Sequence, residues 1–330
     1  MGSNKSDASW HREIKQSFRF TVWQKLVVMD LNISSQDSSC FHLPHPLFDL
    51  ASERFITNLI TAIINIVTTP FSFIANMLII IAIFDCPRLQ TPSNLFLATL
   101  ALSDAFVGLT VQPGYITYRL MENQHRSVPC FARHIYNSAF WVCFGVSFMT
   151  LTAVSYERFV AVRLRVRYNA MFSTRRALKY ALGIWTVNIF LTALEWAKID
   201  KAMRGIHLTL WYLCLLVSTV TQIGVFVAIR RHNRRVSNQL QVDEKLQRQR
   251  EVKLAKKILT VVVIYFILNF PVLFVTFYHQ ILGQNIQTYN HYSWTETLAF
   301  LNSCSNPIIC YWKKREIFRR VKYLLKKLIC

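Results

Sequence analysis

The sequence predicts an all-α protein, a seven-transmembrane helix bundle with a short amphipathic C-terminal helix. Three observations support this fold class. Apolar residues come in blocks of about twenty, the length of helix that crosses roughly 30 Å of hydrocarbon. Few charges interrupt these blocks, although 17% of the chain is charged. Lysine and arginine concentrate in alternate connecting segments, which is typical of proteins that cross a membrane several times.

The blocks divide the chain into a tail, a bundle and a terminal helix. We predict an extracellular, disordered tail over residues 1–54, a bundle over residues 55–312 and a cytoplasmic amphipathic helix over residues 313–330. If translation starts at Met29, the tail is shorter, and residues 1–28 are then an extension introduced by gene prediction. The seven spans are predicted at residues 55–84, 93–118, 135–156, 180–197, 205–229, 258–278 and 292–312.

Basic residues predict the orientation of the bundle. Segments 230–257 and 313–327 are dense in lysine and arginine, whereas the segments on the other side hold few, among them Arg119 and Arg133 in predicted outer loops. Positive charge concentrates on the cytoplasmic side of membrane proteins. We therefore predict a multi-pass protein of the plasma membrane with its N-terminus outside and its C-terminus in the cytoplasm. The amphipathic helix after Trp312 suits contact with membrane lipids of the anionic inner leaflet.

Composition argues against several classes of function. A net charge of +21 can indicate nucleic-acid binding, but here the basic residues lie between apolar spans rather than on one face with stacking aromatics. The eight cysteines lack the paired spacing of a zinc site. No nucleophile–base pair or phosphate-binding loop stands out. We predict that the protein is no enzyme and that it binds no nucleic acid.

Polar residues inside the spans carry the information about function. A charge within hydrocarbon costs roughly 2.5 to 3.5 kcal/mol on insertion scales, so an embedded acid generally has a role. Asp104 lies inside the second span and Glu296 inside the seventh. Arg158 ends the uncharged stretch that begins at Ile135. These insertions indicate a signalling protein.

A set of short motifs, in order along residues 55–328, resembles the rhodopsin-like (class A) family of G-protein-coupled receptors. The resemblance implies a heterotrimeric G protein as partner and an extracellular ligand. The stretch 159–168 is also similar to melanocortin and adenosine receptors. The motifs are Asn76, residues 91–96 (TPSNLF), residues 100–104 (LALSD), residues 155–159 (SYERF), residues 167–168 (RY), Trp185, Pro271 and residues 302–307 (NSCSNP).

The resemblance implies a G-protein switch at the inner end of the bundle. Arg158 would pair with Glu157 when the receptor is inactive and contact the G protein when it is active. The alternative is an arginine that only sets membrane topology. The residues that match the family's switch positions are Glu157, Arg158, Phe159, Pro271, Asn306, Pro307 and Tyr311.

Two departures from the family pattern leave a second reading open. Asn269 stands where the family has a tryptophan, two residues before its proline. Cys310 stands where the family has a tyrosine, and Tyr311 follows it. A shift of one residue turns a side chain by about 100° around a helix. The alternative is a receptor-like protein whose signalling is weak or lost. A transporter or channel is a further alternative, but the chain shows no matching pair of broken helices.

The resemblance also implies an allosteric sodium ion in the core of the bundle. A hard cation prefers oxygen ligands, and a carboxylate with hydroxyl and amide neighbours supplies them. The alternative is a protonated or water-satisfied Asp104 that only joins helices. The residues that match the sodium site are Asp104, Asn76, Ser147, Asn302 and Asn306.

The family's disulfide joins the top of the third span to the second outer loop. Cys130 lies near the first position, but the loop at residues 198–204 has no cysteine. Cys40 remains as the outer partner, so we hypothesise a Cys40–Cys130 bond; two independent thiols are the alternative. Asn32 fits a glycosylation acceptor, and Cys330 is a palmitoylation candidate.

The family's ligand pocket would lie between the outer halves of spans three, five, six and seven. Phe140 stands where amine receptors carry an aspartate, and Phe300 lies in the region where opsins attach retinal. The ligand is therefore predicted to be neither a biogenic amine nor retinal. Glu296 is the candidate anchor for a cationic ligand group. For the aromatic residues, interhelical packing is the alternative. The predicted lining is Phe140, Trp141, Phe144, Val272, Leu273, Thr276, Glu296 and Phe300, with His207 near the rim.

Overall fold

The computed structural model describes Cys40 and residues 51–164, 168, 170–196, 200–235, 263–278, 286–313 and 315–329. The chain divides into a unit of Met1–His45 and a unit of Pro46–Cys330. The elements of the second unit are helices, which confirms the all-α fold class. Asn32 and Cys330 lie outside the described residues, and so does most of the predicted tail.

The helices follow the order of the predicted spans. Because the residues before Val263 are not described, α6 is defined only from there onward. The helices are α1 (Ala51–Phe84), α2 (Pro92–Asn123), α3 (Cys130–Arg163), α4 (Thr174–Glu195), α5 (Asp200–Arg235), α6 (Val263–Tyr278), α7 (Ile286–Lys313) and α8 (Arg315–Ile329).

Helices α1 to α5 are long and apolar enough to cross a membrane. Within the most apolar stretch of each helix, 67% of the residues of α2 and 61% of those of α3 are buried. The corresponding shares are 33% for α1 and 28% for α4. Helices α2 and α3 are therefore central, and α1 and α4 are peripheral. Helix α7 has the length to span but is less apolar, because polar residues such as Asn302 and Asn306 are buried on its inner face.

Capping residues explain where two helices begin. The Thr91 side chain accepts a hydrogen bond from the backbone nitrogen of Asn94 at 3.4 Å, and Pro92 occupies the first helical position of α2. Ser173 accepts from the backbone nitrogen of Arg176 at 3.3 Å and begins α4 in the same way. These polar caps satisfy backbone N–H groups that have no partner within the helix.

The helices extend further at Arg54, Arg119 and Arg133 than the sequence predicts. Arg119 and Arg133 were placed in outer loops, and this placement is wrong: Arg119 lies in α2 and Arg133 in α3, and both are buried. Arg54 is likewise buried in α1, which begins at Ala51. A prediction from hydropathy places the end of a span at its first charged residue. The helix itself can continue past that residue when the charge has a partner in the bundle.

Helices α1 and α2 approach closely at Gly108. This glycine lies in a π-helical turn, Val107–Val111, inside α2. A Cβ atom at Gly108 would lie 2.8 Å from the backbone nitrogen of Phe73 and 2.9 Å from the Cβ of Ser72. Both are atoms of the α1 backbone or next to it, so they cannot rotate away. The contact requires a residue without a side chain.

We expect Gly108→Ala to lower the stability of the protein by about 1–3 kcal/mol, because the added methyl group forces two backbones apart. The measurement is the thermal unfolding temperature of the purified protein. Gly183→Ala is the matched control, because nothing lies within 4 Å of the Cβ that it adds. Equal unfolding temperatures for the two variants would contradict the close approach of α1 and α2.

Helix α8 is amphipathic, as predicted. Ile317 and Val321 are buried in a cluster with Ile79 and Ile83 of α1. On another side of the helix, Arg320 pairs with Asp85 at the end of α1. The apolar face of α8 is therefore used in part against α1.

Candidate functional site

The C-terminal end of α3 carries an ion pair with a buried carboxylate. The Glu157 side chain is 0% exposed, and the Arg158 guanidinium donates to both of its carboxylate oxygens. The Arg158 side chain remains 11% exposed. This is the arrangement that the resemblance implies for an inactive receptor.

Tyr168 adds a third member to this pair. Its hydroxyl donates a 2.6 Å hydrogen bond to Oε1 of Glu157. Burial and the neighbouring Glu157 raise the pKa of Tyr168 above its usual value, so the phenol stays protonated and able to donate. Tyr168 is part of the RY motif, but its role could not be predicted, because only the fold places its hydroxyl beside Glu157.

Phe159 lies against α5. A Cβ atom at Gly224 would lie 2.7 Å from the Phe159 ring, and Val225 packs on the same residue. Nearby, the Gln222 amide donates to Ser155 Oγ at 3.2 Å. These contacts tie the C-terminal halves of α3 and α5 together.

The remaining switch residues lie in α6 and α7. Asn269, which replaces the family's tryptophan, is buried and donates its side-chain amide to the Tyr265 carbonyl at 2.8 Å, one turn earlier in α6. Pro271 follows it in α6, and Pro307 lies within α7. Tyr311 belongs to α7 as well, but its side chain lies outside the described part of the chain.

Asp104 is buried at the centre of the bundle. Its two carboxylate oxygens accept hydrogen bonds from Ser303 Oγ at 2.8 Å and from Asn306 Nδ2 at 2.7 Å. Both donors come from α7, so the aspartate joins α2 to α7. Asn306 is a predicted member of this site, whereas Ser303 was not predicted, because a serine between two asparagines carries no distinctive signal.

The other predicted sodium ligands lie on α1, α3 and α7. Asn76 donates its amide to the Ser72 and Ser303 carbonyl oxygens at 2.8 and 2.9 Å. Ser147 shares a 3.0 Å hydrogen bond with Ser103. The side-chain oxygens of Asn76 and Asn302 are buried, and no donor among the described residues reaches them. Buried acceptors of this kind fit a hard cation.

The predicted pocket aromatics form one packed cluster. The ring centroids of Phe140 and Phe144 lie 4.5 Å apart, and Phe300 lies 6.4 Å from Phe140 and 6.1 Å from Phe144. Trp211 of α5, which the sequence analysis missed, stacks 5.0 Å from Trp141 and 5.2 Å from Phe148. The structure shows these rings packing together, and a role in lining a ligand cavity stays a prediction.

The remaining predicted lining residues differ in burial. Val272 and Leu273 are buried in the same aromatic cluster. Thr276 is half-buried, and its hydroxyl donates to the Val272 carbonyl at 2.7 Å within α6. His207 is buried rather than at a rim, with its ring 5.1 Å from Trp141. The prediction of a rim position for His207 is wrong.

Glu296 is held by protein groups in this structure. Its Oε2 accepts from Arg119 Nη2 at 3.1 Å, and its Oε1 accepts from the Tyr136 hydroxyl at 3.1 Å. Arg119 continues to Glu122, with Nη1 lying 3.3 Å from Oε2. Glu296 is a predicted site residue, whereas its partner Arg119 could not be predicted, because Arg119 follows the predicted end of the second span.

Glu122 in turn pairs with Arg54 of α1. Asn58 donates to Oε2 of Glu122 at 3.1 Å, and Arg54 Nη2 donates to Ser293 Oγ at 3.0 Å. The four charged side chains are between 0% and 4% exposed. Two arginines and two glutamates therefore form a neutral, buried row that joins α1, α2 and α7. We name Arg54, Glu122, Arg119 and Glu296 the charged row.

The structure joins Cys40 to Cys130, which confirms the predicted disulfide bond. Cys130 is the first residue of α3. A disulfide at this point is consistent with an oxidising compartment.

Helices that are long and apolar enough to cross a membrane, with buried charges between them, define a polytopic membrane protein. A family model described as "7 transmembrane receptor (rhodopsin family)" matches residues 75–201 and 194–310, more than half of the 330-residue chain. The chain belongs to this family. Membership confirms the predicted seven-helix bundle and favours a receptor over a transporter.

Individual relatives are more distant. A probable G-protein coupled receptor No9 from Amphibalanus amphitrite is 31% identical over 44% of this chain, which spans 29% of that relative. Human adenosine receptor A2b is 26% identical over 81% of this chain and 88% of its own length. Sheep (Ovis aries) melanocortin receptor 5 is 25% identical over 77% and 80%. Shorter matches include octopamine and 5-hydroxytryptamine receptors.

Proposed function

We propose that this receptor binds an extracellular ligand and activates a heterotrimeric G protein on the cytoplasmic side. The pair of Glu157 and Arg158 carries the proposal, because it is a charge lock within the last two turns of α3. When the lock opens, Arg158 is released toward the inner surface. Ligand binding acts by having a higher affinity for the open state than for the closed one.

The orientation that this function needs has its N-terminus outside and its C-terminus in the cytoplasm of a plasma-membrane protein. The concentration of lysine and arginine in segments 230–257 and 313–327 supports it. An epitope tag after Ile329 is expected to bind antibody only after the cells are made permeable. Binding to intact cells would contradict the proposed orientation.

The ligand proposed is neither a biogenic amine nor retinal. Phe140 offers a hydrocarbon ring where an amine receptor offers a carboxylate, and Phe300 offers no amine for a retinal Schiff base. Both rings pack in the aromatic cluster of the core. The matches to amine receptors cover shorter stretches, 35% and 38% of this chain, so they carry less weight for the ligand than the longer matches.

The experiment is a ligand screen in cells that express the receptor with a promiscuous G protein. A true agonist gives a response in cells with the wild-type receptor and none in cells with Arg158→Ala at equal surface expression. Arg163→Ala is the matched control, because Arg163 ends the same helix and its guanidinium lies over the Phe159 ring rather than on Glu157. Responses that survive Arg158→Ala would contradict the role of the lock.

We also propose an allosteric sodium ion at Asp104. Asp104 and the free acceptor oxygens of Asn76 and Asn302 would hold it, while Asn306 orients the carboxylate through its 2.7 Å hydrogen bond. Ser147 supplies a hydroxyl from α3. The ion would neutralise a buried charge and hold α2, α3 and α7 together in the inactive state.

A further inference from the structure

The outer halves of α2 and α7 face each other in two matched layers. Arg119 and Glu296 form the outer layer, with 3.1 Å between Nη2 and Oε2. Tyr115 and Phe300 form the layer below, with their ring centroids 5.4 Å apart. Residues four apart lie on one face of a helix. Helix α2 therefore presents an aromatic ring beneath a cation, and α7 presents an aromatic ring beneath an anion.

The outer layer is the weaker end of the charged row. Glu122 accepts from two guanidinium groups, those of Arg54 and Arg119, and from the Asn58 amide. Glu296 accepts from one guanidinium group, that of Arg119, and otherwise from the neutral hydroxyls of Tyr136 and Tyr292. An incoming ligand would replace the Arg119–Glu296 contact at lower cost than any contact of Glu122.

Charge balance decides which ligand can enter. The charged row holds two cations and two anions and is neutral. A simple cation at Glu296 would add one buried positive charge and leave Arg119 to share Glu122 with Arg54. A simple anion at Arg119 would leave Glu296 with neutral tyrosine hydroxyls and no cation. Buried charge without a counter-ion is strongly disfavoured, so both monovalent ligands meet a penalty.

A zwitterion meets neither penalty. Its ammonium group replaces Arg119 as the partner of Glu296, and its carboxylate replaces Glu296 as the partner of Arg119. Guanidinium binds a carboxylate through two parallel hydrogen bonds. The Tyr115 ring lies 4.9 Å from the Arg119 guanidinium carbon, so the cation is already held against an aromatic face. One ion pair is thereby replaced by two, and the buried charge stays balanced.

We propose that the outer layer between α2 and α7 is a binding site for a small zwitterion of the α-amino-acid type. Arg119 binds its carboxylate and Glu296 binds its ammonium group. Its apolar side chain then points to Tyr115 and Phe300, which favours aromatic or large aliphatic side chains. This inference rests on the proposed receptor function and names the chemical class of its ligand.

Insertion of the zwitterion also has a route to the switch. The ligand separates Arg119 of α2 from Glu296 of α7, and the same two helices meet again at Asp104 through Ser303 and Asn306. A change in spacing at the outer layer therefore acts on the central contact of the bundle. Ligand binding and the inner switch are coupled because they share α7.

The test uses the purified full-length receptor in lipid nanodiscs and measures its thermal unfolding temperature. The probes are phenylalanine, leucine and tyrosine, each with its amide, which lacks the carboxylate, and its N-acetyl derivative, which lacks the ammonium group. We expect an amino acid to raise the unfolding temperature and both derivatives to bind at least about tenfold more weakly. Equal protection by a derivative, or protection by none of the amino acids, would overturn the proposal.

A charge-preserving variant separates binding from folding. Arg119→Lys keeps the positive charge between Glu122 and Glu296 but lacks the two parallel donors that a guanidinium offers to a carboxylate. We expect this receptor to fold while its affinity for the amino acid falls at least about tenfold. Unchanged affinity in the Arg119→Lys receptor would overturn the site. A receptor that binds amino acids but activates no G protein would contradict the proposed function alone.

Discussion

Glu122→Ala is expected to remove about 3–5 kcal/mol from the free energy of unfolding, because it deletes the carboxylate that both buried arginines of the charged row share. Arg54 and Arg119 remain at 0% and 3% side-chain exposure, so water cannot easily replace the lost partner. Coulomb interactions are strong in such an environment because little solvent screens them. The measurement is the thermal unfolding temperature of the purified receptor, with surface expression as a second readout.

Glu53→Ala is the control for this prediction. Glu53 lies beside Arg54 in α1 but is exposed, so its substitution is expected to change stability by less than about 0.5 kcal/mol. If Glu122→Ala were as stable as Glu53→Ala, the charged row would not be buried as described.

Asp104→Asn is expected to abolish the response of the receptor to sodium. If the ion binds at Asp104, sodium chloride raises the unfolding temperature of the wild-type receptor above that in potassium chloride at equal ionic strength. At a sodium concentration ten times the dissociation constant the stabilisation is about 1.4 kcal/mol. The asparagine lacks the charge that balances the cation, so the two salts should give the same unfolding temperature.

Asp85→Asn makes the same chemical change at an exposed site. Asp85 pairs with Arg320 at the end of α1, and its side chain is 39% exposed. We expect this variant to keep the full difference between sodium and potassium. If the difference between sodium and potassium persisted in Asp104→Asn, the proposal that sodium binds at Asp104 would be contradicted. If the difference were lost in Asp85→Asn, the effect would be a nonspecific effect of salt.

The sequence predicts well those features that depend on local pattern. The order of the spans follows from blocks of apolar residues, and the pair of Glu157 and Arg158 follows from adjacent residues at the end of a span. Asp104 and Asn306 could be grouped because both belong to motifs of one family. The Cys40–Cys130 bond could be predicted because the loop at residues 198–204, where the family has its second cysteine, contains none. Cys40 was therefore left as the partner of Cys130.

The charged row could not be predicted, because its contacts join distant parts of the chain. Arg54 and Glu122 are 68 residues apart, and Arg119 and Glu296 are 177 residues apart. Each charge on its own indicates the end of a span. Only the longer helices α1 and α2, with α7 beside them, bring opposite charges together. Ser303 and Tyr168 were overlooked for a similar reason, since a single hydroxyl gains a role only through a tertiary contact.

Nucleotide exchange on purified heterotrimeric G proteins, with the receptor in vesicles and no ligand, tests the proposed function most directly. Glu157→Gln keeps the shape of the side chain but removes the charge that holds Arg158. Loss of about 1.4 kcal/mol from the inactive state raises a minor active population about tenfold, so exchange should rise above the wild-type rate by a comparable factor. Adding Arg158→Ala should return the rate to that of vesicles without receptor. If folded Glu157→Gln receptor gave no more exchange than empty vesicles with every class of G protein, the account would be contradicted.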